Sequence, residues 1–282
     1  MLNLLRVDFR RALKDKLFTA VCIIAVIFAI VTPLLYVLIF SGLSGGTDDM
    51  GDMLAQMGIG LTAKQQFFAS FSLSNNLGIV LPVLLGIIMW KDFSHGTIRN
   101  KIISGNTRPS IFLSMFIVSF TLFFGVMLFG ATISLLVSLP FFPFDTDPFT
   151  VSDLGYFFTS LLIELLTSAF VAALVSFLCA SMKNVGLVIV SYIAIAMVMS
   201  VVTSILSIGG MLLVSGAVEG GEKIGEFLNT LQKLNVFNYG TLIGGGSEYE
   251  TADLLCYLLS PALSSAALVL LGIFNFSRKD IK

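Results

Sequence analysis

Charge is scarce in this chain, and histidine, tryptophan and cysteine are scarcer. Of 282 residues only 12% are charged while 56% are hydrophobic, and the mean hydropathy is +0.98. So few polar groups cannot cover the surface of a water-soluble domain of this size. A single histidine, His95, leaves no multi-histidine metal centre and no Ser/His/Asp arrangement. The three cysteines, Cys22, Cys179 and Cys256, fall singly in apolar runs with no CxxC pair, which reads as packing. No Gly-x4-Gly-Lys-Ser/Thr run is present, so the chain lacks the backbone cradle for nucleotide phosphates. The expectation is a chain that binds no cofactor or metal, has no nucleic-acid partner and is not an enzyme by itself.

What is present is long, continuous apolar runs, which point to an all-α polytopic membrane protein rather than a barrel of alternating strands. Residues 1–16 read as an amphipathic interfacial helix. Leu2, Leu5, Phe9 and Leu13, with Leu4, share one face, and Arg6, Arg10, Arg11 and Lys14 take the rest. The remainder, 17–282, reads as one six-span domain with spans at about 17–40, 71–90, 109–139, 154–182, 185–216 and 254–276. The outer loops are then 41–70, 140–153 and 217–253. The first apolar run is about twice a signal-peptide core and lacks a small-residue cleavage site, so it reads as an uncleaved span. Pro82 is expected to kink the second span and Trp90 to anchor its end. The fifth span is expected to break near Gly209 and Gly210. Met50, Met53, Leu54, Met57 and Leu61 in the first outer loop, and Ile224, Phe227, Leu228, Leu231 and Leu234 in the third, form apolar stripes at helical spacing.

Charge orients the chain. With the N-terminus, the 91–108 loop, the turn at Lys183 and the tail on one side, only Lys64, Lys223 and Lys233 of the 16 basic residues lie opposite, leaving 13. The acids run the other way, 12 of 17 falling in the three outer loops. The positive-inside rule places both termini in the cytosol, self-consistent with six spans in a cell membrane.

The longest polar interval on that side, Met89 to Phe112, is more elaborate than a turn requires. Ser94 reads as an N-cap and Gly105 as a C′ residue. Between them Ile98, Ile102 and Ile103 form an apolar side, and Arg99, Asn100 and Lys101 the other. A helix this short needs something to pack on, whether lipid headgroups or a cytosolic partner.

The run Phe93-Ser94-His95-Gly96-Thr97-Ile98-Arg99-Asn100-Lys101-Ile102-Ile103-Ser104-Gly105, with Arg108 and Ser114, resembles the signature of ABC-2-type transporter permeases. The ending, Gly272 through Phe276 to Arg278-Lys279-Asp280-Ile281-Lys282, is similar to that family's C-terminus. The resemblance implies the membrane subunit of an ABC exporter. It implies a second permease chain, as homodimer or related heterodimer, and two copies of a separate ATPase that holds ATP and magnesium. It makes Phe93, His95, Gly96, Thr97, Ile98, Arg99, Asn100, Lys101, Ile102 and Gly105 the coupling helix that docks on the ATPase. His95 has no ligand cluster around it, so a docking or headgroup contact is its default role.

Glu164 is the one acid inside a span. Facing lipid it would cost at least about 2.5–3.5 kcal/mol, so it is expected to face protein or a water-filled path, or to be protonated. It reads either as a substrate-path or gating residue or as a packing acid bonded to Ser160 or Thr167. Small residues repeat every four positions at Gly130, Ser134 and Ser138, at Ser168, Ala172, Ser176 and Ala180, and at Ala196, Ser200 and Ser204. Such ridges serve close helix packing, and one could form a dimer seam. Few intramembrane charges and 26 Phe suit a hydrophobic or amphipathic cargo, a membrane-active peptide above others. The alternatives are sodium or drug export, an ATP-independent channel or secondary transporter, and a membrane anchor.

Overall fold

The computed structural model describes residues 2–43, 62–73, 76–144, 151–214, 222–239 and 251–278. They form ten α-helices in chain order: α1 Leu2–Leu13, α2 Lys16–Leu43, α3 Ala63–Ala69, α4 Asn76–Ser94, α5 Thr97–Ile103, α6 Arg108–Ser138, α7 Val151–Ser181, α8 Val185–Val214, α9 Glu222–Leu234 and α10 Thr251–Arg278. A 3-10 turn, Val236–Asn238, follows α9, and no strand occurs among the described residues. Six helices (α2, α4, α6, α7, α8 and α10) are long and apolar enough to cross a membrane. The chain is an all-helical, multi-pass membrane protein.

Two spans form the middle of the bundle. In the apolar windows of α6 and α7, 56% and 61% of residues are buried inside the chain, against 11% in α8 and in α10. The small-residue ridges explain the centre. Ser134 and Ser138 of α6, and Ser168, Ala172, Ser176 and Ala180 of α7, are all buried, so neighbouring helices approach closely there. The third ridge lies outward, with Ser200 and Ser204 exposed on α8. Close approach also explains Gly272 of α10: a Cβ there would overlap the Phe112 ring of α6.

Three details differ from the sequence reading. The second span runs Asn76–Ser94 rather than 71–90, because Phe67, Phe68 and Phe71 belong to a buried plug. The plug is α3 and the turn after it, started by a capping box between Thr62 and Gln65. It packs on α6, and Phe67 stacks on Phe157 of α7 at 5.4 Å. Secondly, α8 does not break at Gly209 and Gly210. The missing Cβ atoms instead admit Leu228 and Asn229 of α9, which packs along α8. Thirdly, Trp90 lies inside α4, one turn from its end, stacked on Phe93 at 5.2 Å. The stripe Met50 to Leu61, and the tail residues Lys279 to Lys282, lie outside the described residues.

Candidate functional site

The site is built where α1, the α4–α5–α6 passage and the end of α10 meet, at the basic end of the bundle. Its centre is α5. Two glycines in the left-handed region bound it, Gly96 (φ 65°) before and Gly105 (φ 88°) after. At the far end Gly105 N–H donates to the Ile102 carbonyl (2.9 Å) and Asn106 N–H to that of Lys101 (3.2 Å). That pair of bonds is the Schellman closure. The N-cap is Gly96, not Ser94. α4 continues to Ser94, whose hydroxyl turns back to the Lys91 carbonyl (3.2 Å), and the left-handed glycine makes the corner instead.

The inner face of α5 is covered by its own chain. Ile98 is 1% exposed and Ile102 half-buried, so these two are packing residues and not a free apolar face. Lys101, expected on the polar side, is 7% exposed. It reaches Asp8 of α1 at 2.7 Å and Asp92 of α4 at 3.1 Å. Asp8 also accepts from the Ser114 hydroxyl of α6 at 2.8 Å, and Arg11 of α1 pairs with Asp92. Beside this knot Lys91 grips Asp15 at 2.6 Å. Six charges, three of each sign, thus tie α1, α4 and α5 together. What α5 presents outward is Arg99, Asn100 and Ile103, the last 74% exposed.

Charge and burial set the protonation tendencies here. Burial pushes the Lys101 ammonium below its ordinary 10.5, and the hydrogen bond and charge of Asp8 oppose that shift. At Asp15 burial acts to raise the carboxyl. The Lys91 hydrogen bond, the Leu17 N–H and the charges of Lys91 and Arg11 outweigh it, holding Asp15 below 3.8.

The other expected site residues are placed as follows. Phe93 is half-buried and meets Phe276 of α10 edge-on at 6.1 Å, so it packs within the chain. Exposed His95 sets its Nδ1 2.9 Å from the Lys91 carbonyl, and Thr97 opens α5. Arg108 at the start of α6 donates to the Ser277 carbonyl (2.6 Å) at the end of α10. On α1 the buried face is Leu4, Asp8 and Ala12; Phe9 packs at its edge, and Leu13 is 46% exposed. The face turned to the bundle therefore differs from the lipid stripe read from the sequence. Arg6 and Arg10 stay exposed, but Arg11 is drawn to Asp92.

No family model, no curated protein and no solved structure matches the chain. The geometry of this junction therefore carries the functional reading.

Glu164 lies apart from the junction. It is 1% exposed on α7, and its Oε1 has no hydrogen-bond partner among the described residues. The Thr167 hydroxyl donates to the Ile163 carbonyl rather than to Glu164. The sequence reasoning missed Asp8, Asp15 and Asp92. A signal was available: they are acids on the side of the chain where bases dominate, and Asp8 stands on a helix face between Leu4 and Ala12.

Proposed function

We propose that this chain is the membrane-spanning subunit of an ATP-driven exporter of the ABC type, moving a hydrophobic or amphipathic cargo. A separate ATPase would dock on α5 from the cytosol, and a second permease chain would complete the path. The observation that carries the reading is the construction of α5. A turn between two spans needs only a few residues, yet this one is a helix with a Schellman stop, a left-handed glycine at each end, and a buried lysine fixing it to α1 and α4. A short helix held rigidly from within and exposing an arginine and an isoleucine outward suits the transfer of force from a soluble partner to several spans at once. The exposed faces of α8 and α10 leave room for lipid or a second copy.

The test uses two of the three outward residues, Arg99 and Ile103, since Ile98 is structural. The full chain is co-expressed with an ATPase bearing a phosphate-binding loop, encoded beside it, and purified from membranes. Arg99→Ala with Ile103→Asp is expected to lose the ATPase while membrane insertion and thermal stability stay as in the unaltered chain. Undiminished capture of the ATPase by that variant, or no capture by the unaltered chain, overturns the proposal.

A further inference from the structure

At the end of the bundle away from the charged knot, α2, the α3 plug, the start of α4 and the far end of α6 enclose a cleft of about 320 Å3. That falls within the range of roughly 300–1,000 Å3 usual for small-molecule sites. At about 30 Å3 per molecule it has room for roughly ten waters, so a single bridging water does not fill it. None of the described residues that line it is charged. Thr32 and Tyr36 of α2, Gln66 and Ser70 of the plug and Ser134 of α6 supply the polar groups. Phe28, Leu35 and Leu77 supply the larger apolar surfaces.

Several of those polar groups are uncommitted. Pro33 stands inside α2 and has no N–H, so the Ala29 carbonyl lacks its usual helix bond. Ala29 lines the cleft, and no side chain donates to its carbonyl among the described residues. The same need is met internally in α4. There Pro82 frees the Gly78 carbonyl, which accepts from the buried Tyr192 hydroxyl at 3.1 Å. Thr121, Thr132 and Thr167 satisfy their hydroxyls on the carbonyl four residues back. The hydroxyls of Thr32, Tyr36 and Ser134 make no hydrogen bond among the described residues. Ser134 is 2% exposed, so its hydroxyl depends on what fills the cleft.

We propose that this cleft binds a neutral alcohol with a short apolar body, either a free molecule or the hydroxyl end of an uncharged lipid. A hydroxyl both donates and accepts. It donates to the Ala29 carbonyl and accepts from Thr32, Tyr36 or Ser134, with the body along Phe28, Leu35 and Leu77. An ammonium or sulfonate head meets no counter-ion in the lining and is disfavoured by desolvation. An alkane leaves the same groups unsatisfied. The exporter reading is not needed for this site.

The full chain in phosphatidylcholine nanodiscs is photolabelled with octanol bearing a diazirine on its chain, and the adducts are mapped by mass spectrometry. Saturable labelling of residues 28–36 is expected. Unlabelled octanol should displace it at a membrane mole fraction at least tenfold below that needed of octane, octylamine or octyl sulfonate. Monoolein is a further competitor: displacement at a lower mole fraction than octanol assigns the site to a lipid, and the reverse order to a free alcohol. Pro33→Ala returns an N–H to the Ala29 carbonyl, and Thr32→Val and Ser134→Ala each remove a hydroxyl. Each should raise the octanol midpoint at least threefold and leave that of octane unchanged. The competitor ranking on the unaltered chain needs no variant to fold. Labelling that does not saturate, displacement by octane as readily as by octanol, preference for a charged head, or an unchanged octanol midpoint in all three folded variants overturns the proposal.

Discussion

Lys101→Met is the sharpest perturbation of the knot. The magnitude turns on burial. An exposed ion pair is worth about 0–1 kcal/mol, whereas removing one partner of a buried pair costs about 3–5 kcal/mol, because it strands the remaining charge. Lys101, Asp8 and Asp92 have side chains 7%, 6% and 6% exposed, which selects the second regime. Without Lys101, Asp8 keeps the Ser114 hydroxyl and Asp92 keeps Arg11, leaving one uncompensated negative charge. The cost should fall on the attachment of α1 and α5 rather than on the spans, since these charges join only the elements at the basic end. Hydrogen exchange in nanodiscs reads that local opening. At about 1.4 kcal/mol per tenfold, amides of α1 and α5 should exchange roughly a hundredfold to several thousandfold faster, with the centres of α6 and α7 unaffected. Asp8→Asn added to Lys101→Met removes the stranded charge and should restore much of the protection. Additivity of the two substitutions within about 0.5 kcal/mol would refute the coupling. So would an exchange change below threefold.

Three further outcomes are expected. Gly105→Ala places a side chain at φ 88° and should destabilise the end of α5 by about 1–2 kcal/mol, with Gly105→Asn milder, read as faster exchange at Asn106. Gly272→Val drives a side chain into the Phe112 ring, and overpacking of about 1–3 kcal/mol should lower the thermal midpoint, with Phe112→Leu in the same chain recovering part of it. Asp15 has a folded pKa below its ordinary 3.8, so its contribution is complete above that value and is lost as pH falls through the lower folded one. Acid unfolding of Asp15→Asn should therefore lose the part of its pH dependence in that window, measured against the unaltered chain.

Much of the architecture was legible because it depends on local composition. Long apolar runs announce spans regardless of what they touch, and the small-residue ridges of α6 and α7 announced close packing. Gly105 was legible as a stop because a helix end is a local event. Gly96 was not read as the N-cap, since only the continuation of α4 to Ser94 shifts that role. Ile103 and Lys101 were assigned to the wrong faces. A seven-residue helix carries too few turns for its amphipathic pattern to say which side its own chain covers.

The sequence by itself determined that this is a helical multi-pass membrane protein, and that one polar passage between two spans carries a short helix. Hydropathy and capping act over a few residues, so they can be read without a fold. The tertiary structure alone decided what that helix holds. Asp15 meets Lys91 across 76 residues and Asp8 meets Ser114 across 106. A minority acid on a basic side looks like noise until packing brings its partners together, and only burial then turns those pairs from screened surface contacts into the knot that ties α1 to α5.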